Sequence, residues 1–176
     1  MASTQTAHTE KCTGIVQLNP IDKGYLVGLQ TQLLDLYPDQ ISLPKLHITI
    51  LHQNFPKLVG AGKTRGDKLL KQAYKEGKQN KVIPPVVSFG DVYIGERTEG
   101  AEAGRVSTYV VIPEADLCKA TRDEILSEAG VIDILGHIVG TEEEDRVFHI
   151  SLTNLTGNGG DSLKYPNLAT DTKVEL

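Results

Sequence analysis

Two short apolar runs each carry a histidine with a hydroxyl residue two positions on. They are Leu46-His47-Ile48-Thr49-Ile50-Leu51 and Val147-Phe148-His149-Ile150-Ser151-Leu152. In a strand, side chains alternate between faces, so His47 shares a face with Thr49, and His149 with Ser151. The intervening Ile48 and Ile150 take the opposite, apolar face. Two imidazoles and two hydroxyls suit cleavage of a phosphodiester. One neutral imidazole takes a proton from a nucleophile, water or a ribose 2′-hydroxyl, and a second, protonated one gives a proton to the leaving oxygen. Histidine fits both tasks because its ordinary pKa lies near neutrality. Thr49 and Ser151 can donate hydrogen bonds to the non-bridging oxygens and hold the group in line. This scheme calls for no metal and no cofactor. Of the five histidines, His8, His52 and His137 lack the hydroxyl partner.

The elements that must present these residues read as follows. A strand over 12–18 is broken by Asn19-Pro20, and a helix follows from Ile21 to Leu36 with Leu26, Leu29, Leu33 and Leu36 at helical spacing. After a proline-bounded loop comes the first histidine strand, 45–51. A Gly-rich loop, a helix over 67–79 and two prolines lead to a strand over 86–96, bent at Gly90. A strand over 105–113, a helix over 114–130 and the second histidine strand, 146–155, complete the pattern. Residues 1–10 read as a frayed polar start, and those after 155 as a Gly/Asn-rich exit and a tail. Mixed strands and helices with short connections predict an α+β fold. The order falls into halves near residue 82, each ending in a histidine strand. The whole chain, 1–176, is read as one domain of two lobes, roughly 11–82 and 83–160, with a C-terminal tail.

Composition limits the possible roles. The 176 residues are 39% hydrophobic and 23% charged, with no Trp, so Leu, Ile and Val must build the core. No apolar run suits a membrane span, and the first residues lack the apolar core of a secretory signal. Cys12 and Cys118 stand far apart and read as buried free thiols in a reducing cytoplasm. A net charge of −5 argues against a protein that coats long nucleic acid. Between Lys57 and Lys81, however, eight basic and two acidic residues give a local +6. That segment reads as a solvated helix face or as a positive rim that draws an anionic ligand. Gly60-Ala61-Gly62-Lys63-Thr64 is too short for a Walker loop. His47 and His52 lack a matching acid for zinc, and Ser151 lacks a Gly-x-Ser-x-Gly elbow.

The paired LHITIL and FHISL stretches resemble the His-x-Ser/Thr signature of the two-histidine phosphoesterases, the 2H or LigT-like superfamily. That resemblance implies a bilobal fold with two antiparallel sheets, flanking helices, pseudo-two-fold symmetry and a central groove. It implies metal-independent phosphodiesterase work on 2′,3′-cyclic phosphates or nucleotide linkages, with His47, Thr49, His149 and Ser151 as the catalytic set. The stretch FHISLTNLTGNGGDS, with Asn154, Gly157, Asn158 and Asp161, is similar to small phage-encoded members. These include the anti-CBASS nucleases, which cleave the cyclic di- and trinucleotides, such as cGAMP, that serve bacteria as antiviral signals.

On that comparison the expected substrate is a small cyclic oligonucleotide in the cytoplasm of an infected cell, with no membrane or protein partner. Two alternatives remain. One is a phosphodiesterase or 2′-5′ RNA ligase-like enzyme acting on RNA ends with 2′,3′-cyclic phosphates. The other is a non-catalytic sponge for a cyclic nucleotide. Members that grip bases place aromatics round the groove, so Tyr25, at the start of the first helix, and Tyr109, on a strand of the second half, are the expected platforms, with Tyr165 a further candidate. Glu142 and Glu144, just before the second histidine strand, are expected to accept a hydrogen bond from a base edge.

Overall fold

A computed structural model describes residues 6–12, 14–51, 75–77, 81–128 and 145–176. The first helix shows how local sequence sets the frame. Pro20 occupies the first turn, where its missing N–H costs nothing, and the preceding Asn19 is extended. Asp22, in that first turn, is buried and accepts the backbone N–H of His8 at 2.7 Å, tying the helix to the N-terminal segment. The helix, α1, runs Pro20–Leu36 and buries Leu26, Leu29 and Leu33. Leu36, expected on the same stripe, is instead exposed at the helix end, where Tyr37 and Pro38 terminate it.

The strands are β1 (Thr6–Ala7), β2 (Thr9–Cys12), β3 (Ile15–Leu18), β4 (Ile41–Ser42), β5 (His47–Thr49), β6 (Val87–Ser88), β7 (Val92–Glu96), β8 (Val106–Val111), β9 (His149–Asn154) and β10 (Thr172–Val174). A second helix, α2, spans Ala115–Glu128, and a 3-10 turn spans Gly159–Asp161. The fold is mixed α+β, with antiparallel pairing throughout the described sheets.

One plan occurs twice. The hairpin β2–β3 is followed by α1, and β5 returns beside β3. The hairpin β7–β8 is followed by α2, and β9 returns beside β8. Each histidine strand is thus the third strand of a ββαβ unit. The sheets are β2-β3-β5 and β10-β7-β8-β9-β4, with β1-β6 as a separate pair. The units interlock: β4, which precedes β5 in the chain, pairs with β9, Ile41 opposite Asn154. The buried Gln30 of α1 donates from Nε2 to the carbonyls of Leu43 (3.0 Å) and Leu152 (2.8 Å), joining helix, loop and β9 through one amide.

Several expectations from sequence need correction. Residues 6–10 are not a frayed start but enter β1 and β2. The expected strand 12–18 is divided by a hairpin turned at Gly14, whose φ is 82°: Cys12 ends β2, and Ile15–Leu18 form β3. The expected strand 86–96 divides into β6 and β7 at Gly90. The Gly90 N–H donates to the Val111 carbonyl at 2.7 Å, and a Cβ there would lie 2.9 Å from that oxygen. The loop after α1 contains β4, and the tail contains β10. Most of the expected helix over 67–79 lies outside the described residues.

The core joins Val16, Leu18, Ile48 and Ile50 to Phe89, Val110, Phe148, Ile150 and Leu152, with leucines from both helices. Cys12 and Cys118 are buried and unpaired; burial pushes their thiols up, to about 11 and about 12. Among the described residues no helix is long and apolar enough to cross a membrane.

Candidate active site

β5 and β9 lie against each other, one from each ββαβ unit. On β5, His47 stands opposite Gln17 and Thr49 opposite Ile15, and Ile48 between them is buried. On β9, His149 stands opposite Val111 and Ser151 opposite Tyr109, with Ile150 buried between them. All four polar side chains line one cavity of about 370 Å³. Strict alternation ends after Ser151. The pairing slips between Thr108 and Tyr109, so that Thr108 faces Thr153 and Tyr109 faces Ser151, leaving Leu152 as the extra residue of a bulge. The bulge turns Thr153 inward, where its hydroxyl meets Thr108 at 2.6 Å and Gln40 at 3.0 Å, while Ser151 stays at the cavity. The Leu152 carbonyl accepts from Leu43 N and Gln30.

The two imidazoles are held by the same kind of contact. His47 Nδ1 lies 3.2 Å from the Lys45 carbonyl, and His149 Nδ1 lies 3.0 Å from the Val147 carbonyl. In each case the acceptor is two residues back in the chain, just before the strand begins. A proton on Nδ1 satisfies that carbonyl and leaves Nε2 as the basic nitrogen. The difference is that His149 Nε2 also lies 3.1 Å from the Leu163 carbonyl. A neutral ring has one N–H, so only the imidazolium can donate to both. Burial pushes His149 down to about 4; the charges of Arg146 and His47 act in the same direction, and the Val147 and Leu163 carbonyls oppose it. Burial also lowers His47, against the pull of the Lys45 carbonyl, and the Lys45 charge adds to the lowering. An anion entering the cavity would raise both.

The rest of the lining favours such an anion. Lys45, Arg146 and Lys164 line the cavity with the two histidines, and among the described residues no Asp or Glu lines it. Arg146 is 7% exposed, and its guanidinium carbon sits 5.5 Å from the centroid of the Phe148 ring. Asn158, Gly159 and Gly160 supply a further wall. Asn154, fully buried, organises that loop. Its Nδ2 donates to the Asn158 carbonyl (2.6 Å) and Ser162 Oγ (3.0 Å), and its Oδ1 accepts from Thr156 N and Gly157 N. Gly157 has φ +75°, and a Cβ there would lie 2.9 Å from Ile41 Cγ2, so glycine is needed on both counts.

Sequence reasoning identified neither Lys45, Arg146 nor Lys164. Lys45 was within reach of it, since it lies two residues before His47 and shares its face by strand alternation. Arg146 and Lys164 carry no such signal.

The expected base platforms lie elsewhere. Tyr25 stacks on Phe89, with ring centroids 5.4 Å apart, and lines a separate cavity of about 210 Å³ with Asp91 and Lys173. Tyr109 is 0% exposed, so it offers no face to a ligand. Instead its ring edge meets His149 at 5.4 Å and 70°, and its hydroxyl donates to Asp171 at 2.5 Å. Tyr165 is not among the residues that line the histidine cavity. Glu142 and Glu144 lie outside the described residues, as does most of the basic segment 57–81.

The arrangement offers two imidazoles whose free forms differ in hydrogen bonding, two hydroxyl donors and three cationic side chains round one space. It is suited to holding a phosphate and moving a proton on either side of it. No family model, curated protein or solved structure matches the chain.

Proposed function

We propose that the chain is a metal-independent phosphodiesterase of the two-histidine type, acting on small cyclic di- or trinucleotides. The observation that carries this reading is the convergence of His47, Thr49, His149 and Ser151, from two separate strands, on one cavity lined by Lys45, Arg146 and Lys164. The substrate phosphate sits between the histidines. Thr49 and Ser151 donate to its non-bridging oxygens, and the cations offset its charge. One histidine accepts the proton of the attacking hydroxyl or water as the new P–O bond forms. The other protonates the leaving oxygen as the old P–O bond breaks. The choice of a small cyclic substrate is supported by the net charge of −5 and by the resemblance of the two motif strands to the phage-encoded members.

The test is product analysis in EDTA. The purified protein is incubated with cyclic di- and trinucleotides and with an RNA ending in a 2′,3′-cyclic phosphate. Cleavage of a cyclic oligonucleotide that survives EDTA and is lost in His47→Ala and His149→Ala is the expected result. Cleavage of the RNA end alone would keep the chemistry and move the substrate to RNA ends. Tight binding without product from any substrate would overturn the enzyme reading in favour of a sponge.

A further inference from the structure

His149 is braced by groups outside the catalytic set, one of them at the Nε2 edge of the ring. Tyr93, Tyr109 and Ser151 are cross-strand neighbours on β7, β8 and β9, so they share one face of the sheet, with His149 at its cavity end. Tyr93 stacks on Tyr109 at 5.8 Å, and Tyr109 meets His149 edge-on. The segment from Ser162 to Asp171 lies over this face. Leu163 N donates to Ser107 Oγ at 3.0 Å, and Arg105 donates to the Ser162 carbonyl at 3.0 Å. Glu102 accepts from Lys164 N at 2.9 Å and Tyr165 N at 3.3 Å. A Cβ on Gly95 would lie 2.6 Å from Leu163 Cδ1 and 2.8 Å from Asp171 Cγ, so β7 carries glycine where this strap crosses it. So held, the strap sets the Leu163 carbonyl 3.1 Å from His149 Nε2.

The strap is pinned at its far end by Asp171, whose side chain is 1% exposed. It accepts from Arg97 Nη1 (2.6 Å) and Nη2 (3.2 Å), from Tyr109 OH (2.5 Å) and from Asn167 N (3.0 Å). Burial alone would raise the carboxyl. The bonds from Arg97 and Tyr109 outweigh it and keep the carboxylate charged. A buried ion pair of this kind contributes little net stability compared with well-packed apolar groups. What it does supply is a fixed direction for Tyr109 and a fixed end for the strap, two of the groups that touch His149.

We propose that Asp171 is a positioning residue for His149, acting through the Tyr109 ring and the strap carbonyl of Leu163. The proposal rests on His149 being one of the two proton-transfer groups. Asp171 is not among the residues that line the cavity, so it exerts its effect by holding the imidazole where proton transfer is efficient.

The test uses Asp171→Asn and Tyr109→Phe in the full chain. Each keeps the shape and removes the charge or the hydroxyl. Histidine ring NMR is followed through a pH titration alongside kcat and KM. Among the described residues the ionisable groups facing His149 are Arg146, His47 and Tyr109, with Lys45 and Lys164 on the cavity wall, and both variants leave the charge of each unchanged at neutral pH. The expected result is a fall in kcat of about 10- to 100-fold for Asp171→Asn and less for Tyr109→Phe, with KM within about threefold. The His149 ring signals shift and its titration midpoint moves, while those of His47 stay put. Unchanged His149 signals and titration in both variants would overturn the proposal. If Asp171→Asn does not fold, Tyr109→Phe decides by the same signals. If the wild type turns over no substrate, the reading of function fails, and the ring signals still decide the positioning.

Discussion

His47 and His149 open equivalent strands of two ββαβ units, and each sets Nδ1 on the carbonyl two residues back. Beyond that they differ. β5 is three residues long and has one described neighbour in its sheet, β3. β9 is six residues long, lies between β8 and β4, and carries a bulge. His149 has a second carbonyl at Nε2, an aromatic edge against its ring and a strap beyond it. His47 has no counterpart to these among the described residues. One motif can thus be mounted rigidly or lightly, and the mounting decides what else fails when the histidine is removed.

The largest expected effect tests that directly. Replacing either histidine with alanine should cut turnover by about 10³-fold, within the range for loss of a general acid or base. The stability of the two variants should differ. His149→Ala removes a ring packed against Tyr109 and hydrogen-bonded to the chain and should lower Tm clearly, whereas His47→Ala removes a more exposed bond to the Lys45 carbonyl and should hardly move it. Equal Tm values would break the comparison.

Next is the joint between the units. Gln30→Ala removes the donor to two buried carbonyls and should cost about 3 kcal/mol in urea unfolding, with the loss seen as one cooperative transition. Two separate transitions would mean that the units unfold independently.

The hydroxyls are expected to matter less. Thr49→Val and Ser151→Ala should each lower kcat by about 10- to 100-fold with little effect on Tm, since each removes one donor to the phosphate. A much larger loss for one would show that the phosphate leans to that side.

The smallest effect is in pH dependence. His149, near 4 when folded against 6.5 in its ordinary state, binds a proton more readily unfolded. The stability it contributes is therefore present above about pH 6.5 and lost as pH falls toward 4. His47 adds in the same direction. Tm should fall between pH 6.5 and 4.5, and less steeply in His149→Gln than in the wild type. An equal slope would assign the acid sensitivity to other groups.

How much of this was legible in the sequence depends on the range of the forces involved. Alternation through His47-Ile48-Thr49 and His149-Ile150-Ser151 is a local property, and the four side chains do line one cavity. The leucine spacing of α1 is likewise local, apart from Leu36 at its end. β1, β4 and β10 are two or three residues long and exist through distant partners, so no local pattern marks them. Tyr109 was misread for a related reason. A strand shows which face a side chain takes, but not which later segment will cover that face, and here residues 162–171 do. Tyr25 follows a strand as expected but finds Phe89 first. Arg146 and Lys164 reach the cavity from different segments, which only the fold brings together.

The exchange of β4 bears on the order of assembly. Ile41 cannot find Asn154, nor Gly157 settle against Ile41, until nearly the whole intervening chain has been made and gathered. Closing a loop of that length costs about 4 kcal/mol in chain entropy before any of its contacts form. Local hairpins should therefore appear early and the β4–β9 seam late, giving a slow folder by the measure of contact order. The cavity is walled by both sides of that seam. A nascent or partly folded chain should hold its two histidines apart, so that the cavity they line comes into being at the final step of folding.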